Sequence, residues 1–222
     1  MDKIEKYVSS FSKEDPLLRT IREQSDKHRE KHGCDVHPSD PVTGRFLDVL
    51  VRATGARRVL EVGCGLGYSG IWLARALPPG GRIETVEQDP LHAKMASENF
   101  KLADVRSRVR LLKGDAKSVL SGLEGPYDFI FEDATFGGRP EHYEDLISVL
   151  RVGGTILFAN WFPIEPAIAG GTHLQVWKRK FPQSDYAPAR TRRFVEKVFR
   201  DRRLSVVLLP YIWKGIATKI KG

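Results

Sequence analysis

The sequence predicts an α/β fold with a mostly parallel, seven-stranded sheet, helices at its N-terminus and an antiparallel hairpin at its C-terminus. Between Val59 and Ala159, short apolar segments alternate with helix-like segments, which is typical of strand–helix units around a parallel sheet. A glycine-rich turn joins the first of these strands directly to a helix. Two further β-rich segments, joined around Lys214, end the chain and predict the hairpin.

The length of 222 residues is enough for a single α/β domain with a sizeable core. Within it we assign 1–55 to a helical cap, 56–160 to a ligand-binding core, 161–190 to a substrate lid and 191–222 to the last helix and the hairpin. No apolar run approaches the roughly 18 residues of a membrane span. The charged N-terminus does not have the composition of a signal peptide.

The two cysteines, Cys34 and Cys64, fit a reducing compartment, and we therefore expect a cytoplasmic protein. Cys64 lies in the glycine turn, where a small side chain fits, so we do not predict a nucleophile at this position. No pair of cysteines and histidines has the sequence spacing typical of a zinc site.

The net charge of +8 is concentrated toward the C-terminus, because the chain from Gly171 onward has 13 Lys and Arg against 3 Asp and Glu. Most of the excess lies in one basic run: Arg190, Arg192, Arg193, Lys197, Arg200, Arg202 and Arg203. Such a run is either a solvated helix face or a surface that attracts an acidic substrate, for example a nucleotide, a coenzyme A ester or RNA.

The cap segment is predicted to be helical. Apolar residues at helical spacing predict a first helix over about 4–11 and a second helix that begins at Asp15-Pro16. A loop over 33–41 leads to a third helix, for which Thr43 is the candidate N-cap.

The stretch from Val59 to Gly70 is predicted to contain a strand, a glycine turn and the start of a helix that continues to Leu77. From Gly65 onward the turn also fits the G-x-G-x-x-G pattern of dinucleotide sites, but it begins earlier and carries Glu61 near the end of the strand. A carboxylate there suits an ammonium group and repels a pyrophosphate. S-adenosylmethionine carries an ammonium, a sulfonium and no phosphate, so the turn favours this cofactor; a glycine turn without a ligand is the alternative.

Carboxylates also follow the next two strands. The strand Arg82–Glu87 ends on an acidic residue about 20 positions after the glycine turn, the spacing of a ribose-binding carboxylate, so Glu87 is the predicted ribose ligand. After the strand over 109–112, Asp115 can accept from an adenine amino group while the backbone N–H of Ala116 donates to a ring nitrogen. The alternatives are an ordinary strand-end charge for Glu87 and a helix N-cap for Asp115.

The fourth predicted strand, 127–131, runs into Asp133, and the fifth, 155–159, ends at Asn160. Because ligands collect beyond the carboxyl ends of strands in an open α/β sheet, we expect Asp133 to point toward the reaction site. The irregular, aromatic-rich segment that follows is longer than an ordinary loop and predicts a lid, or else a surface excursion packed by its own side chains.

This order of elements resembles a Rossmann-like class I methyltransferase. The sequence from Leu60 to Ser69 resembles, more closely, the catechol and caffeoyl-CoA type of O-methyltransferase, and four further segments do so as well. These segments are Thr85–Glu87, Gly114–Ala116, Asp128–Ala134 and Leu150–Gly154. The resemblance extends from about Leu17 to the hairpin and implies a homodimer, the usual arrangement of the family.

The resemblance also implies which residues bind S-adenosylmethionine. It assigns the methionine end of the cofactor to Glu61, Gly63 and Ser69. As above, Glu87 is assigned to the ribose, and Asp115 and Ala116 are assigned to the adenine. His37 and Ser39 fall in the family's N-terminal segment over the cofactor. The rest of the predicted cofactor-binding set is Cys64, Gly65, Gly67, Tyr68, Gln88, Gly114 and Asp133.

Two positions depart from the family's pattern. The family binds a divalent cation with an aspartate after the fourth strand and an Asp-Asn pair after the fifth; Asp133 and Asn160 match the outer two of these positions, but Ala159 occupies the middle one. The missing carboxylate predicts much weaker binding of a hard cation such as magnesium. The lysine that often serves as the base three residues after the first aspartate is Phe136 here.

The predicted function is S-adenosylmethionine-dependent methylation of a hydroxyl on a small aromatic or acidic compound, with Asp133 as the base and Glu132, His37 and His142 as weaker candidates. The alternatives are a tRNA hydroxyuridine-type O-methyltransferase that uses the basic C-terminal third, a cofactor-binding protein without catalysis and, more distantly, an NAD-dependent dehydrogenase. The expected partners are the small-molecule substrate and a second copy of the chain, with nucleic acid as a further possibility and no membrane.

Overall fold

The computed structural model describes residues 7, 10–34, 36–134, 141–159, 171, 175, 179, 188–209 and 214–222. The strands are β1 (Arg58–Val62), β2 (Arg82–Glu87), β3 (Val109–Lys113), β4 (Tyr127–Glu132), β5 (Leu150–Phe158), β6 (Leu204–Leu209) and β7 (Lys214–Lys219). The helices are α1 (Pro16–His32), α2 (Pro41–Thr54), α3 (Tyr68–Ala76), α4 (Pro90–Leu102), α5 (Ala116–Leu120), α6 (Tyr143–Val149) and α7 (Pro188–Arg200).

The seven strands form one mixed sheet in the order β3-β2-β1-β4-β5-β7-β6. The pairs β1–β2, β2–β3 and β4–β5 are parallel, whereas β7 pairs antiparallel with both β5 and β6. This confirms the predicted α/β fold with a terminal antiparallel hairpin. By its contacts the chain divides into two compact units, Met1–Asp115 and Ala116–Gly222. The finer division into cap, core, lid and hairpin stays a prediction.

In the first unit, aspartates followed by prolines set the start of two helices. Asp15 caps α1, where its Oδ1 accepts from the backbone N–H of Leu18 at 2.9 Å. Asp40 caps α2 and accepts from the backbone N–H of Thr43 at 2.8 Å. The prediction that Thr43 caps this helix was therefore wrong. Asp40 precedes the proline and so occupies the cap, while Thr43 lies inside the first turn.

Close packing of α2 on α3 depends on a small residue. Eight of the nine residues of α3 are buried, including Trp72. A methyl group at Gly44 of α2 would overlap the ring of Trp72. Arg45 places its guanidinium 5.0 Å from the centre of the same ring. The two helices can therefore approach closely and fix the position at which α3 begins.

In the second unit, strand pairing moves two predicted boundaries. β5 begins at Leu150 instead of 155, because Leu150 pairs with Tyr127 before a register irregularity leads to the Phe129–Thr155 pair. β5 ends at Phe158, one residue before the predicted end. The last helix and the hairpin are confirmed. The first predicted helix, over 4–11, and the predicted lid lie mostly outside the described residues.

Within the described part of the chain, no helix combines the length and the apolar character needed to cross a bilayer.

Candidate active site

The glycine turn lies between β1 and α3 and is held against the neighbouring strand β2. The backbone N–H groups of Gly63 and Cys64 both donate to the carbonyl of Val86, at 3.1 and 3.0 Å. Gly63, Gly65 and Gly67 have φ angles of 98°, 53° and 90°, in the left-handed region that favours glycine. The turn therefore needs glycine at three alternate positions and presents the N-terminus of α3 beside the end of β2.

A buried carboxylate connects this turn to the end of β2. Glu87 Oε2 accepts from the backbone N–H of Gly65 at 2.7 Å, and its Oε1 accepts from the backbone N–H of Asp89 at 2.9 Å. The residue is only 7% exposed, and these two hydrogen bonds orient its carboxylate. Each carboxylate oxygen can accept more than one hydrogen bond, so both can still receive hydroxyl groups. The role of Glu87 as the ribose ligand stays a prediction.

Glu61 is completely buried on β1. Its Oε2 accepts from the hydroxyl of Thr85 at 2.5 Å, and a methyl group at Gly70 would lie 2.9 Å from the same oxygen. The acidic side chain therefore points to the first turn of α3, which also contains the buried Ser69. The family resemblance assigned Glu61 and Ser69, together with Gly63, to the methionine end of the cofactor, and that assignment stays a prediction.

Tyr68 has a partner that the sequence did not predict. Its hydroxyl donates to Glu14 Oε2 at 2.9 Å, and Glu14 also forms an ion pair with Arg22 of α1. Burial raises the pKa of the Tyr68 hydroxyl well above its usual range, so this group stays protonated. The hydroxyl thus joins the start of α3 to the N-terminal segment; any contact of Tyr68 with a cofactor would use its ring or its backbone.

The loop after α1 lies against the glycine turn. A methyl group at Gly65 would lie 3.3 Å from Val36 Cγ2. Arg29 Nη1 donates to the carbonyl of Val36 at 3.2 Å and lies 3.3 Å from His37 Nδ1. The structure therefore brings the segment that carries His37 and Ser39 next to the turn, and their contact with a cofactor stays a prediction. The side chain of His37 is exposed.

The predicted adenine ligands follow β3. The backbone N–H of Gly114 donates to the carbonyl of Glu87 at 3.0 Å, which holds the ends of β2 and β3 together. Asp115 and Gln88 are exposed and Ala116 is half-buried. Gln88 thus directly follows Glu87, and Asp115 and Ala116 follow Gly114, which is hydrogen-bonded to Glu87. The contacts of Asp115 and Ala116 with adenine stay a prediction.

Cys64 in the turn and Asn99 beside it both have structural roles. Cys64 is buried, and this burial raises the pKa of its thiol well above the usual value, which agrees with the expectation that it is not a nucleophile. The buried Asn99 of α4 donates to the carbonyl of Leu66 at 2.8 Å. Sequence reasoning missed Asn99, since no local motif marks a residue 33 positions away that supports the turn.

In the second unit, Asp133 follows β4. The pairing of β4 with β5 sets Glu132 beside Phe158, and the backbone N–H of Ala159 donates to the carbonyl of Glu132 at 2.9 Å. Asp133 is half-buried and Ala159 is buried. The structure therefore brings the first and the middle positions of the family's metal pattern to the ends of adjacent strands. Asn160 and Phe136 lie outside the described residues.

Among the residues that the structure describes at these strand ends, the oxygen ligands of the family's divalent cation are incomplete. A hard cation needs oxygen ligands, and the buried methyl group of Ala159 offers none where the pattern has a carboxylate. Two weaker candidates for the base, Glu132 and His142, are both buried and face each other, with Oε1 3.4 Å from Nε2. They form a buried pair, which leaves Asp133 as the more accessible carboxylate.

Replacing Gly67 with alanine tests the turn directly. Gly67 has φ +90°, and an added Cβ would lie 2.9 Å from Phe100 Cε1. We expect a loss of about 2 kcal/mol or more in the free energy of unfolding, from backbone strain and this overlap together, and roughly tenfold weaker binding of S-adenosylhomocysteine (SAH).

Gly55→Ala is the matched control, because Gly55 has φ +64° but no atom within 4 Å of the added Cβ. It should cost only about 1 kcal/mol of backbone strain. SAH binding should not change. Urea unfolding and calorimetry measure both effects, and equal SAH affinities for the two variants would contradict the described geometry.

Comparisons with known proteins identify the family of this chain. A family model described as O-methyltransferase matches residues 8–219. The chain is 39% identical over 124 residues to a catechol O-methyltransferase of Niastella koreensis, a match that spans 54% of this chain and 56% of that relative. The O-methyltransferase of Bacillus cereus in complex with SAH has a TM-score of 0.76 and 29% identity, with 98% of this chain and 97% of that one covered.

A second solved structure gives the same result. The O-methyltransferase TomG of Streptomyces achromogenes, in complex with SAM, has a TM-score of 0.76 and 25% identity, with 99% of this chain and 97% of that one covered. Because the family model spans nearly the whole chain, this protein belongs to the O-methyltransferase family. The resemblance found in the sequence is thereby confirmed, and a dinucleotide-dependent dehydrogenase is not favoured.

Proposed function

We propose that this protein uses S-adenosylmethionine to methylate a hydroxyl group of a small aromatic compound of the catechol type. The observation that carries the cofactor assignment is the buried carboxylate of Glu87, which accepts a hydrogen bond from the backbone of the glycine turn and another from Asp89. Each of its oxygens can accept a further hydrogen bond, here from a ribose hydroxyl. The substrate class is supported by relatives from Niastella koreensis and Mycobacterium tuberculosis that are named catechol O-methyltransferase.

In this proposal the glycine turn and its neighbours hold the cofactor. Glu61 attracts the ammonium group of the methionine end, because an acidic side chain that is fully buried interacts strongly with a cation. Glu87 accepts the two ribose hydroxyls, and Asp115 with the backbone of Ala116 binds the adenine. When bound, S-adenosylmethionine supplies a methyl group activated by the positive sulfur.

Asp133 is the group that we assign to the proton transfer. It is half-buried at the carboxyl end of β4, where open α/β sheets collect their ligands. Its carboxylate accepts the proton of the substrate hydroxyl as the oxygen becomes nucleophilic. With Ala159 in place of a carboxylate, we expect this reaction to proceed without added magnesium.

The basic run offers little support for nucleic acid as the substrate. Among the described residues of the second unit, ion pairs join Arg192 and Arg200 to Glu196, Lys197 to Glu144, and Arg203 to both Glu144 and Asp201. These acidic partners neutralise part of the positive charge that attraction of phosphates requires. The small-molecule substrate is therefore the better-supported choice.

The test is methyl transfer from S-adenosylmethionine to catechol, followed as SAH formation, with and without EDTA. We expect catechol-dependent SAH formation that persists in EDTA. SAH binding without turnover on any catechol, phenol or hydroxy acid would instead support a protein that has lost catalysis. Turnover confined to tRNA, with strong salt dependence, would support the nucleic-acid alternative.

We also propose that the protein is a cytoplasmic homodimer, as the sequence predicts. The absence of disulfide bonds among the described cysteines agrees with a reducing compartment. Light scattering of the purified protein decides its oligomeric state, and a mass near 25.0 kDa would contradict the dimer.

A further inference from the structure

Three side chains that the proposed methyl transfer does not use converge in the first unit. His28 on α1, Cys34 after α1 and His92 on α4 each offer one ligand atom, and these atoms all lie within 4.8 Å of one another. His92 is buried, whereas His28 and Cys34 are half-buried. Sequence spacing did not indicate this cluster, because the third residue comes from a distant helix.

Local structure explains how the first two residues meet. Gly33 ends α1 in the left-handed conformation, with φ 61°, and its N–H donates to the carbonyl of Arg29 at 2.8 Å. The chain therefore turns back after α1 and carries Cys34 toward His28, which lies one turn before the helix end. His92 lies in the first turn of α4, where Asp89 caps the helix and accepts from the backbone N–H of His92 at 2.9 Å.

We propose that His28, Cys34 and His92 bind a borderline divalent metal ion, with zinc as the expected ion. Thiolate sulfur and imidazole nitrogen are the ligands that Zn²⁺ prefers, whereas Mg²⁺ and Ca²⁺ prefer oxygen. In a tetrahedral zinc site the ligand atoms lie roughly 3.5 Å apart, so a side-chain adjustment of about 1 Å completes the geometry. A water molecule fills the fourth position.

The environment of His92 supports this site. His92 Nδ1 lies 3.8 Å from Glu87 Oε1, so a carboxylate faces one nitrogen of the ring. Histidine ligands commonly face a carboxylate in this way, which orients the ring and increases the basicity of the other nitrogen. The ion would link α1 and its following loop to α4, and it would lie next to the carboxylate that holds the glycine turn.

The site is tested by adding Co²⁺ to the metal-free protein and recording its absorption spectrum. We expect one equivalent to bind, with a thiolate-to-cobalt charge-transfer band and the visible bands of a four-coordinate ion. Cys34→Ala should abolish the charge-transfer band. Cys64→Ala is the matched control, because it removes the other thiol of the chain, and it should leave the band unchanged.

Calorimetry with Zn²⁺ gives the second measurement. Each of His28→Gln, Cys34→Ala and His92→Gln should weaken zinc binding by at least about tenfold. Zinc should raise the melting temperature of the unmodified protein and not that of Cys34→Ala, since an ion that binds only the folded state stabilises it. Circular dichroism of the metal-free variants establishes that they are folded.

A charge-transfer band that survives in Cys34→Ala, or zinc affinity that none of the three substitutions changes, would overturn the site. These outcomes do not depend on methyl transfer, so they leave the proposed function untouched.

Discussion

Glu87→Gln is expected to weaken SAH binding by about 10- to 100-fold, because one charged acceptor for the ribose hydroxyls is lost. Hydrogen bonds to charged groups contribute about 1.5–3 kcal/mol, and each 1.4 kcal/mol is tenfold in affinity. The amide retains one acceptor oxygen for the backbone N–H of Gly65 or Asp89. The turn should therefore keep most of its structure, and isothermal calorimetry should register the loss mainly as weaker binding.

Glu84→Gln is the control, since Glu84 lies on the same strand and is equally buried. Its carboxylate pairs with Arg58 at 3.1 Å and with Arg110 at 2.7 Å, on the face of β2 opposite to Glu87. This substitution should reduce stability without changing SAH affinity. A 2′,3′-dideoxy analogue of SAH should bind the Glu87→Gln variant and the unmodified protein equally. Equal SAH affinity in the two glutamine variants would place the ribose elsewhere.

Asp133→Asn is expected to lower kcat for methylation of catechol by about 10²- to 10⁴-fold, the usual contribution of a general base. SAH affinity should remain within about threefold, because asparagine keeps the shape and an acceptor oxygen. The rate of the variant should recover as the pH approaches the pKa of the substrate hydroxyl, since an ionised substrate needs no base. A pH–rate profile of both proteins measures this difference.

Asp128→Asn provides the comparison for this variant. Asp128 lies on β4, the strand that Asp133 follows, and pairs with Arg151 at 2.6 Å. Its loss should therefore affect stability and leave the pH–rate profile unchanged. If Asp133→Asn retained the rate of the unmodified protein across the pH range, the base would have to be another group.

The local chemistry of the chain determined where several helices and turns begin. Asp15-Pro16 marks a helix start because a capping carboxylate and a proline act within one turn, and the structure begins α1 there. The glycine turn was equally predictable, since glycine adopts the left-handed angles found at Gly65 and Gly67 more readily than other residues. The spacing between the glycine turn and Glu87 follows from the length of one strand–helix unit.

Pairing and packing decided the remaining features, because they join residues that are far apart in the sequence. β5 begins at Leu150 because Tyr127 provides its partner, which no local pattern indicates. The hydroxyl of Tyr68 meets Glu14 across 54 positions.

The convergence of His28, Cys34 and His92 is the largest such effect. Sequence spacing describes ligands on one turn or hairpin, whereas this cluster requires α4 to pack beside the end of α1. The sequence by itself therefore determined the fold class, the glycine turn and the carboxylates after the strands. Only the tertiary structure decided which distant side chains share a site, since that depends on how separate elements pack and not on the propensity of any one of them.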